Sequence, residues 1–269
     1  MAIITISRGS RSRGQEIAEK VAHKLGYDLV GREALLEASS EYNVPEATLV
    51  RAIHDAPSIL DRFVGGKARY IAYGQAALTA HVAKDNVVYH GLAGHFLLRG
   101  VGHAVKVRII APLEYRVQVV MERDGVPREE ALRILRKDDE QRSEWSRRLY
   151  GIDQSDPSLY DLVLNVDRIS ADDAASTICQ VARLDGFRTT PESQKAMDDL
   201  ALGAAVKSRL VDLKPDVEVR ADGGVVHVTI GAYAHYRDAL AREIRSAAEA
   251  VPGVREAHVE LAVTPRAHG

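Results

Sequence analysis

The apolar run Ile3-Ile4-Thr5-Ile6 gives way, after a Gly/Ser/Arg turn, to a stripe of Ile17, Ala18, Val21, Ala22 and Leu25. Continuous apolarity predicts a buried strand over 2–7, and the three- and four-residue steps predict a helix over 14–25, stopped by Gly26. "GREALLEASSEYNVPEATLVRAIHD" reads as two short helices broken around Asn43-Val44-Pro45, and residues 67–84 as an Ala-rich helix. "NVVYHG" and "AVKVRIIAP" are apolar on both faces, as strands of a covered parallel sheet must be. Helices are expected at 113–123 and 127–149, a strand at "YDLVLNVD", and a helix at 170–184. This alternation predicts an α/β domain whose parallel sheet is flanked by helices.

The pattern changes at "DGFRTTPESQKAMDD", a polar stretch containing Pro191. Beyond it, "DVEVRADGGVVHVTIGAY" shows two alternating runs joined by Asp222-Gly223-Gly224, a hairpin signal. A helix at 234–250 and a strand at "REAHVELAV" complete a small α+β unit of order α-β-β-α-β. The expected organisation is a first domain over 1–188, a linker over 189–200, and a second unit over 201–265.

The chain has 269 residues, 46% of them apolar, enough for a sizeable core. Its net charge of −2 exerts no global pull on nucleic acid. Arg8, Arg11 and Arg13 form one local basic cluster with no interleaved aromatics, so no nucleic-acid partner is expected. The single cysteine, Cys179, excludes an intramolecular disulfide and reads as a core residue on a helix face. "MAIITISRGS" lacks a signal-peptide pattern and no apolar run is long enough to span a membrane, so a cytoplasmic protein is expected.

The stretch "IITISRGSRSRGQEIAEKVAHKLG" has the strand–turn–helix layout of a phosphate-binding loop. Gly9, four residues and Gly14 fit the spacing of G-x-x-x-x-G-K-[ST], but Gln15 and Glu16 replace the lysine and the hydroxyl. Backbone N–H groups of 9–14 and the start of the following helix still offer an anion site.

Three blocks in order resemble the cytidylate kinase-like branch of the P-loop nucleoside monophosphate kinases: "ITISR…GQEIAEKVAHKLG", "VVYHGLAGHFLLRGVGHAVKVRIIAPLEYRV" and "ALRILRKDDEQRSEWSRRLYG…YDLVLNVDRIS". The resemblance implies a P-loop-type sheet and ATP with Mg2+ as cofactors. It implies a donor site over Gly9, Ser10, Arg11, Ser12, Arg13, Gly14 and Gln15. Lid arginines Arg142, Arg147 and Arg148 would close over the transferred phosphate, and Gly91, Arg116 and Asp161 would lie on the acceptor side. The chain also departs from that branch. Gln15 stands where the branch carries arginine, Leu92 where it carries the acceptor's arginine, and Arg11 and Arg13 where it carries glycines. Arg11 and Arg13 restore charge to the loop but crowd it. Lid residues at these spacings are equally explained as solvated ion pairs on a helix face. His90 and His95 flank the glycine turn without a carboxylate at a metal-ligand spacing, so no metal site is expected.

Residues 201–264 are similar to a BON domain through "VEVRADGGVVHVTIGAY" and Gly253-Val254-Arg255-Glu256-Ala257. Such units imply contacts with a ligand, a membrane surface or a protein partner, dimerisation included, rather than chemistry. The leading expectation is a nucleotide-binding protein that passes a phosphoryl group from ATP to a nucleotide or small phosphate-accepting ligand. The rivals are a non-catalytic nucleotide sensor signalling through the BON-like unit, and a scaffold with no ligand.

Overall fold

The computed structural model describes residues 2–31, 66–91, 93–232 and 237–263. The two helices expected around Asn43-Val44-Pro45, and Leu92, lie outside these residues. Five parallel strands form the first sheet: β1 (Ile3–Arg8), β2 (Asp28–Val30), β3 (Val87–His90), β4 (Ala104–Ile110) and β5 (Leu162–Asn165), in the order β2-β3-β1-β4-β5. Helices α1 (Gly14–Leu25), α2 (Gly66–Val82), α3 (Gly94–Leu97), α4 (Leu113–Asp124), α5 (Arg128–Tyr150) and α6 (Ala171–Val181) connect the strands or cover the faces.

The strands are apolar on both sides because both sides are covered. Ile4, Ile6, Val88, Val105, Val107 and Ile109 pack with Ile17 and Val21 of α1 and Ile178 of α6. The opposite face carries Ile3, Val87 and Tyr89 against Tyr70 and Leu78 of α2, Phe96 of α3, and Trp145 and Leu149 of α5. Chain order reverses at β1, whose neighbours are β3 and β4. Open parallel sheets place ligands outside the carboxyl ends of strands at such a point. The turn after β1 opens there.

The second, smaller sheet pairs β6 (Glu218–Asp222) antiparallel and β8 (Glu256–Val263) parallel with β7 (Val225–Ala232). Gly223 and Gly224, at φ 53° and 88°, supply the left-handed pair that a two-residue hairpin needs. Helix α7 (Pro191–Leu210) and helix α8 (Arg237–Glu249) cover this sheet, with Val206, Leu210, Val226, Val228, Ile230 and Ile244 in its core.

Most of the stretch expected as a linker, 189–200, is the first half of α7. Thr190 and Ser193 close a capping box at its start. Met197 is fully buried in the core of the first sheet, while Val206 and Leu210 of the same helix belong to the core of the second. His103 Nδ1 lies 2.9 Å from Ser193 Oγ, and Arg69 Nε of α2 lies 2.7 Å from Asp212 Oδ1. Among the described residues, no helix is long and apolar enough to cross a membrane.

Candidate functional site

The turn after β1 is held from below. Gly9 N–H donates to Ile109 O at 3.0 Å, which keeps the chain beside β4 for one more residue. Ser12, buried, donates from Oγ to Gly9 O at 3.0 Å and to Ile109 O at 3.2 Å. Arg11 and Arg13 adopt φ values of 60° and 59°, the left-handed region that costs an L-residue about 1–2 kcal/mol. Glycines would sit there without strain; arginines do so under constraint. Gly14 is obligatory for another reason. A Cβ on it would come within 2.7 Å of Arg8 Cβ and 2.8 Å of Arg8 Cδ.

This turn forms one wall of a cleft of about 490 Å3 whose lining includes Arg8, Arg11, Arg13, Arg123 and Arg142. Asp138 is the carboxylate among its lining residues. Arg142 Nη1 donates to the carbonyl of Arg8 at 3.4 Å. Burial lowers the pKa of Arg8, and the charge of Arg142 lowers it further. Burial also lowers the pKa of Arg142, opposed by Asp138 and Asp139 and reinforced by Arg108. A guanidinium stays protonated through such shifts, so the cleft concentrates positive charge in a partly dry environment. An anion would relieve the repulsion, and α1 presents its N-terminal amides on the same side.

Sequence reasoning placed Ser10, Arg11, Ser12, Arg13, Gly14, Gln15 and Arg142 at this site, and all seven line the cleft. Gly9 is in the same turn. Gln15 gives its amide N–H to Glu19 at 3.0 Å along the exposed side of α1. Arg13 and Glu16 form a bidentate pair at 2.7 and 2.8 Å, so the Glu16 carboxylate is turned to a neighbour. Arg8 and Arg123 were missed as site residues. Arg8 could have been found as the last residue of the strand that delivers the turn. Arg123 carries no such signal, since basic residues end helices for dipole reasons alone.

The structure does not bring the other two lid arginines to the cleft. Arg147 pairs with Asp153 at 2.9 Å and Arg148 with Glu144 at 3.6 Å, on the outside of α5. Five or six residues along a helix of 3.6 per turn rotate a side chain well away from Arg142. Arg116 makes a tether. Its Nη1 donates to Asp139 Oδ2 at 2.7 Å and to Ser10 Oγ at 3.2 Å, and Ser10 in turn donates to Asp139. These contacts tie α4 and α5 to the turn.

Asp161 accepts from the backbone N–H of Lys106 at 2.8 Å while its own N–H donates to Lys106 O at 2.8 Å. It therefore fixes the start of β5 against β4. Gly91 follows β3 and donates to Ile6 O at 3.4 Å; a Cβ there would meet Tyr89 Oη at 2.4 Å. Tyr89 is buried, which pushes its hydroxyl well up, and it fills the space between Gly91 and Gly94.

A second polar cluster lies on the α3 side of the sheet. Tyr160 Oη donates to Gln154 O at 2.9 Å and accepts from Arg108 Nη1 at 3.1 Å. The same oxygen is 3.3 Å from His95 Nε2 and 3.4 Å from Ser7 Oγ. Burial pushes His95 down to about 3, with Arg108, Arg99 and Lys106 adding to the effect, so its ring is neutral near pH 7. Among the described residues, no group of three or more His, Cys, Asp or Glu side chains is arranged to hold a metal ion.

Parallel order β2-β3-β1-β4-β5, helices on both faces and an arginine-lined turn after β1 define the class: a P-loop kinase-type α/β fold. Residues 3–168 match the cytidylate kinase-like family, and the chain belongs to that family. The cytidylate kinase of Ignicoccus hospitalis is 28% identical over 182 residues, covering 66% of this chain and 97% of that protein. The cytidylate kinase of Methanopyrus kandleri is 38% identical over 74 residues, covering 28% of this chain and only 38% of that protein. A crystal structure of an uncharacterized protein from Eubacterium ventriosum superimposes with a TM-score of 0.52 at 20% identity, over 68% of this chain and 98% of that one. It shares the fold of the first domain.

Proposed function

We propose that the protein binds ATP through its phosphates in the arginine cleft and transfers the terminal phosphoryl group to a small acceptor. The observation that carries this reading is the convergence of Arg8, Arg11, Arg13, Arg123 and Arg142 on the turn that opens α1. In phosphoryl transfer the protein's work is positioning and charge neutralisation, and guanidinium groups perform both. Arg142 would follow charge onto the transferred phosphoryl, a role supported by its contact from α5 to the carbonyl of Arg8 beside the turn. Arg147 and Arg148 would take part only after giving up their partners Asp153 and Glu144.

Magnesium fits this site as the counterion of ATP, not as a resident of a protein cage. Glu16, at the position of the usual hydroxyl, is engaged with Arg13, and Asp139 with Arg116 and Ser10. Asp138 is the carboxylate on the cleft wall, and it would reach the ion through water.

The neutral Gln15 favours a second reading, in which nucleotide binding is retained as a signal and turnover is weak. The unit over 201–265 would then report occupancy as a BON-like regulatory or dimerisation module. Its helix α7 contributes to both cores and would transmit the change. Melting the full chain with and without ATP and magnesium, followed by an ADP-release assay across candidate acceptors, separates the readings. A melting shift with acceptor-dependent ADP release supports transfer, a shift alone supports the sensor, and no shift removes both.

A further inference from the structure

The exposed arginines Arg123, Arg128, Arg133, Arg147 and Arg188 each sit against a carboxylate. Arg99, Lys207 and Arg220 have no carboxylate partner among the described residues, and all three line one cavity of about 400 Å3. Arg99 comes from the turn after α3, Lys207 from α7 and Arg220 from β6, so the cavity lies between the first domain and the second unit. Asp199 is the carboxylate among its lining residues, and it is engaged. Lys195 Nζ lies 2.6 Å from its Oδ2, and Gly223 N–H donates to its Oδ1 at 2.6 Å. A net positive charge is left at the cavity, and a cleft lined by one sign of charge focuses its field.

The edge of the second sheet adds a neutral donor. β6 is an outer strand, paired on one side only. The two-residue turn at Gly223-Gly224 makes Asp222 and Val225 a hydrogen-bonded pair, and alternation along the ladder makes Arg220 and His227 the next. Ala221, between them, turns its N–H away from β7, and that N–H has no acceptor among the described residues. Ala221 also lines the cavity. A Cβ on Gly203 of α7 would stand 3.7 Å from the Ala221 nitrogen, so glycine there keeps a side chain off the amide. Gln75 of α2, half-buried in the same wall, has a side-chain amide without a partner among the described residues.

We propose that this junction cavity binds a small anion bearing a diphosphate group, at a site separate from the arginine cleft. The two share no lining residue, and the proposal does not rest on the transfer reading. A volume of about 400 Å3 suits a small ligand. Cations delivered by three separate elements suit an anion with charge on more than one group, and guanidinium forks match phosphate oxygens. Because Arg99 belongs to the first domain and Arg220 to the second unit, the bound anion bridges the two. By mass action it stabilises the folded chain.

The test is calorimetric titration of the full chain with inorganic pyrophosphate and with orthophosphate. Pyrophosphate can also enter the arginine cleft, so the titrations use an Arg11→Glu/Arg13→Glu protein, whose turn repels anions, with and without Arg99→Met/Arg220→Met. Circular dichroism and melting first show that each protein is folded, and Arg11→Ala/Arg13→Ala serves as the background if charge reversal unfolds the chain. The background protein is expected to bind pyrophosphate at least about fivefold more tightly than orthophosphate. Adding Arg99→Met/Arg220→Met should weaken pyrophosphate by about fivefold or more, the lower range for lost charged contacts because both side chains are exposed. Arg99→Lys/Arg220→Lys should recover part of the loss, as point charges without the fork do. No pyrophosphate binding by the background protein, orthophosphate bound as tightly, or a smaller loss on substitution overturns the proposal. Failure of ATP to bind the parent while pyrophosphate depends on Arg99 and Arg220 removes the donor reading and leaves this one standing.

Discussion

Arg142 on α5 donates a hydrogen bond to the backbone carbonyl of Arg8, and its charge disfavours the protonated form of the Arg8 side chain. Two half-buried like charges are thus held beside the turn that follows β1. The arrangement is costly when empty and favourable when an anion enters, so it links site occupancy to stability. Arg142→Met is expected to change the melting temperature of the ligand-free chain little, because a repelling half-buried charge is removed together with one long hydrogen bond. The same substitution should weaken ATP by about 1.5–3 kcal/mol, the range for a charged contact. Scanning calorimetry and titration calorimetry on the two proteins check both halves. Equal ATP affinity would make Arg142 a structural link between lid and turn.

Arg11 and Arg13 join two opposed effects. Their φ values of 60° and 59° strain the backbone, and their side chains line the cleft. Replacing both with Ala should weaken ATP by about 2–4 kcal/mol if each supplies one charged contact, toward the lower end of the usual range for each. Replacing both with Gly should weaken ATP similarly while sparing the backbone the αL cost of about 1 kcal/mol or more per site. Removing Arg13 also removes its pair with Glu16, but that pair is exposed and contributes little. The double-Gly protein should therefore melt above the double-Ala protein. The reverse order would mean that the turn does not keep this conformation.

The layered fold was legible because β1, β3 and β4 are apolar on both faces and α1 carries one stripe. β2 was not: Asp28, Leu29 and Val30 are too few and too exposed to mark a strand. The first half of α7 looked like a linker because its buried positions are sparse and its open face holds Glu192, Lys195 and Asp198. The arginine-lined turn was readable from Gly9, Gly14 and the arginines between them, all adjacent in sequence. Arg123 was not, because only the fold brings a position more than a hundred residues away to this cleft. Conversely, Arg147 and Arg148 were grouped with Arg142 by family pattern, whereas helical rotation assigns them to the surface.

Gln15 offers a gain-of-function test. It sits at the mouth of the cleft at the second position of α1 and is bonded to Glu19. Gln15→Lys would place a cation beside the donor phosphates, but Glu19 four residues on would compete for it through an i, i+4 pair. Gln15→Lys combined with Glu19→Gln should bind ATP more tightly than Gln15→Lys alone, and both more tightly than the parent. Titration calorimetry at two salt concentrations checks this, since the added affinity should shrink as ionic strength rises. No gain in either protein would show that ATP phosphates lie elsewhere.

Met197 probes the coupling between the two units. It is fully buried in the core beside Trp145 and Leu149, yet its helix continues into the second sheet's core. Met197→Ala should cost about 2–5 kcal/mol through lost transfer energy and a cavity. A chain ending at residue 188 should lose the same contact and melt below the full chain. Limited proteolysis read by mass spectrometry should spare 191–210, because the helix is capped and packed on both sides. Early cleavage within that span would restore the picture of two units joined by a linker.

His95 makes stability depend on pH. Burial, with help from Arg108, Arg99 and Lys106, lowers its imidazole from 6.5 to about 3 in the folded chain. Burial lowers His103 as well. As pH falls through about 6.5 the unfolded chain takes up these protons and the folded chain does not. The unfolded state then binds more protons, so stability is complete above that pH and declines below it, until the folded ring also titrates near 3. Between pH 7 and pH 5 the His95 share is about 2 kcal/mol, from roughly 1.4 kcal/mol per unit once the unfolded ring is protonated. Ordinary carboxylates are ionised in both states over most of this window, which isolates the histidines. Urea unfolding at pH 7 and pH 5 should show the decline in the parent and a distinctly smaller one in His95→Gln, with His103 accounting for the remainder. A parent whose stability is flat across the window, or a variant with an undiminished decline, would place His95 in contact with water and remove it from the buried cluster around Tyr160.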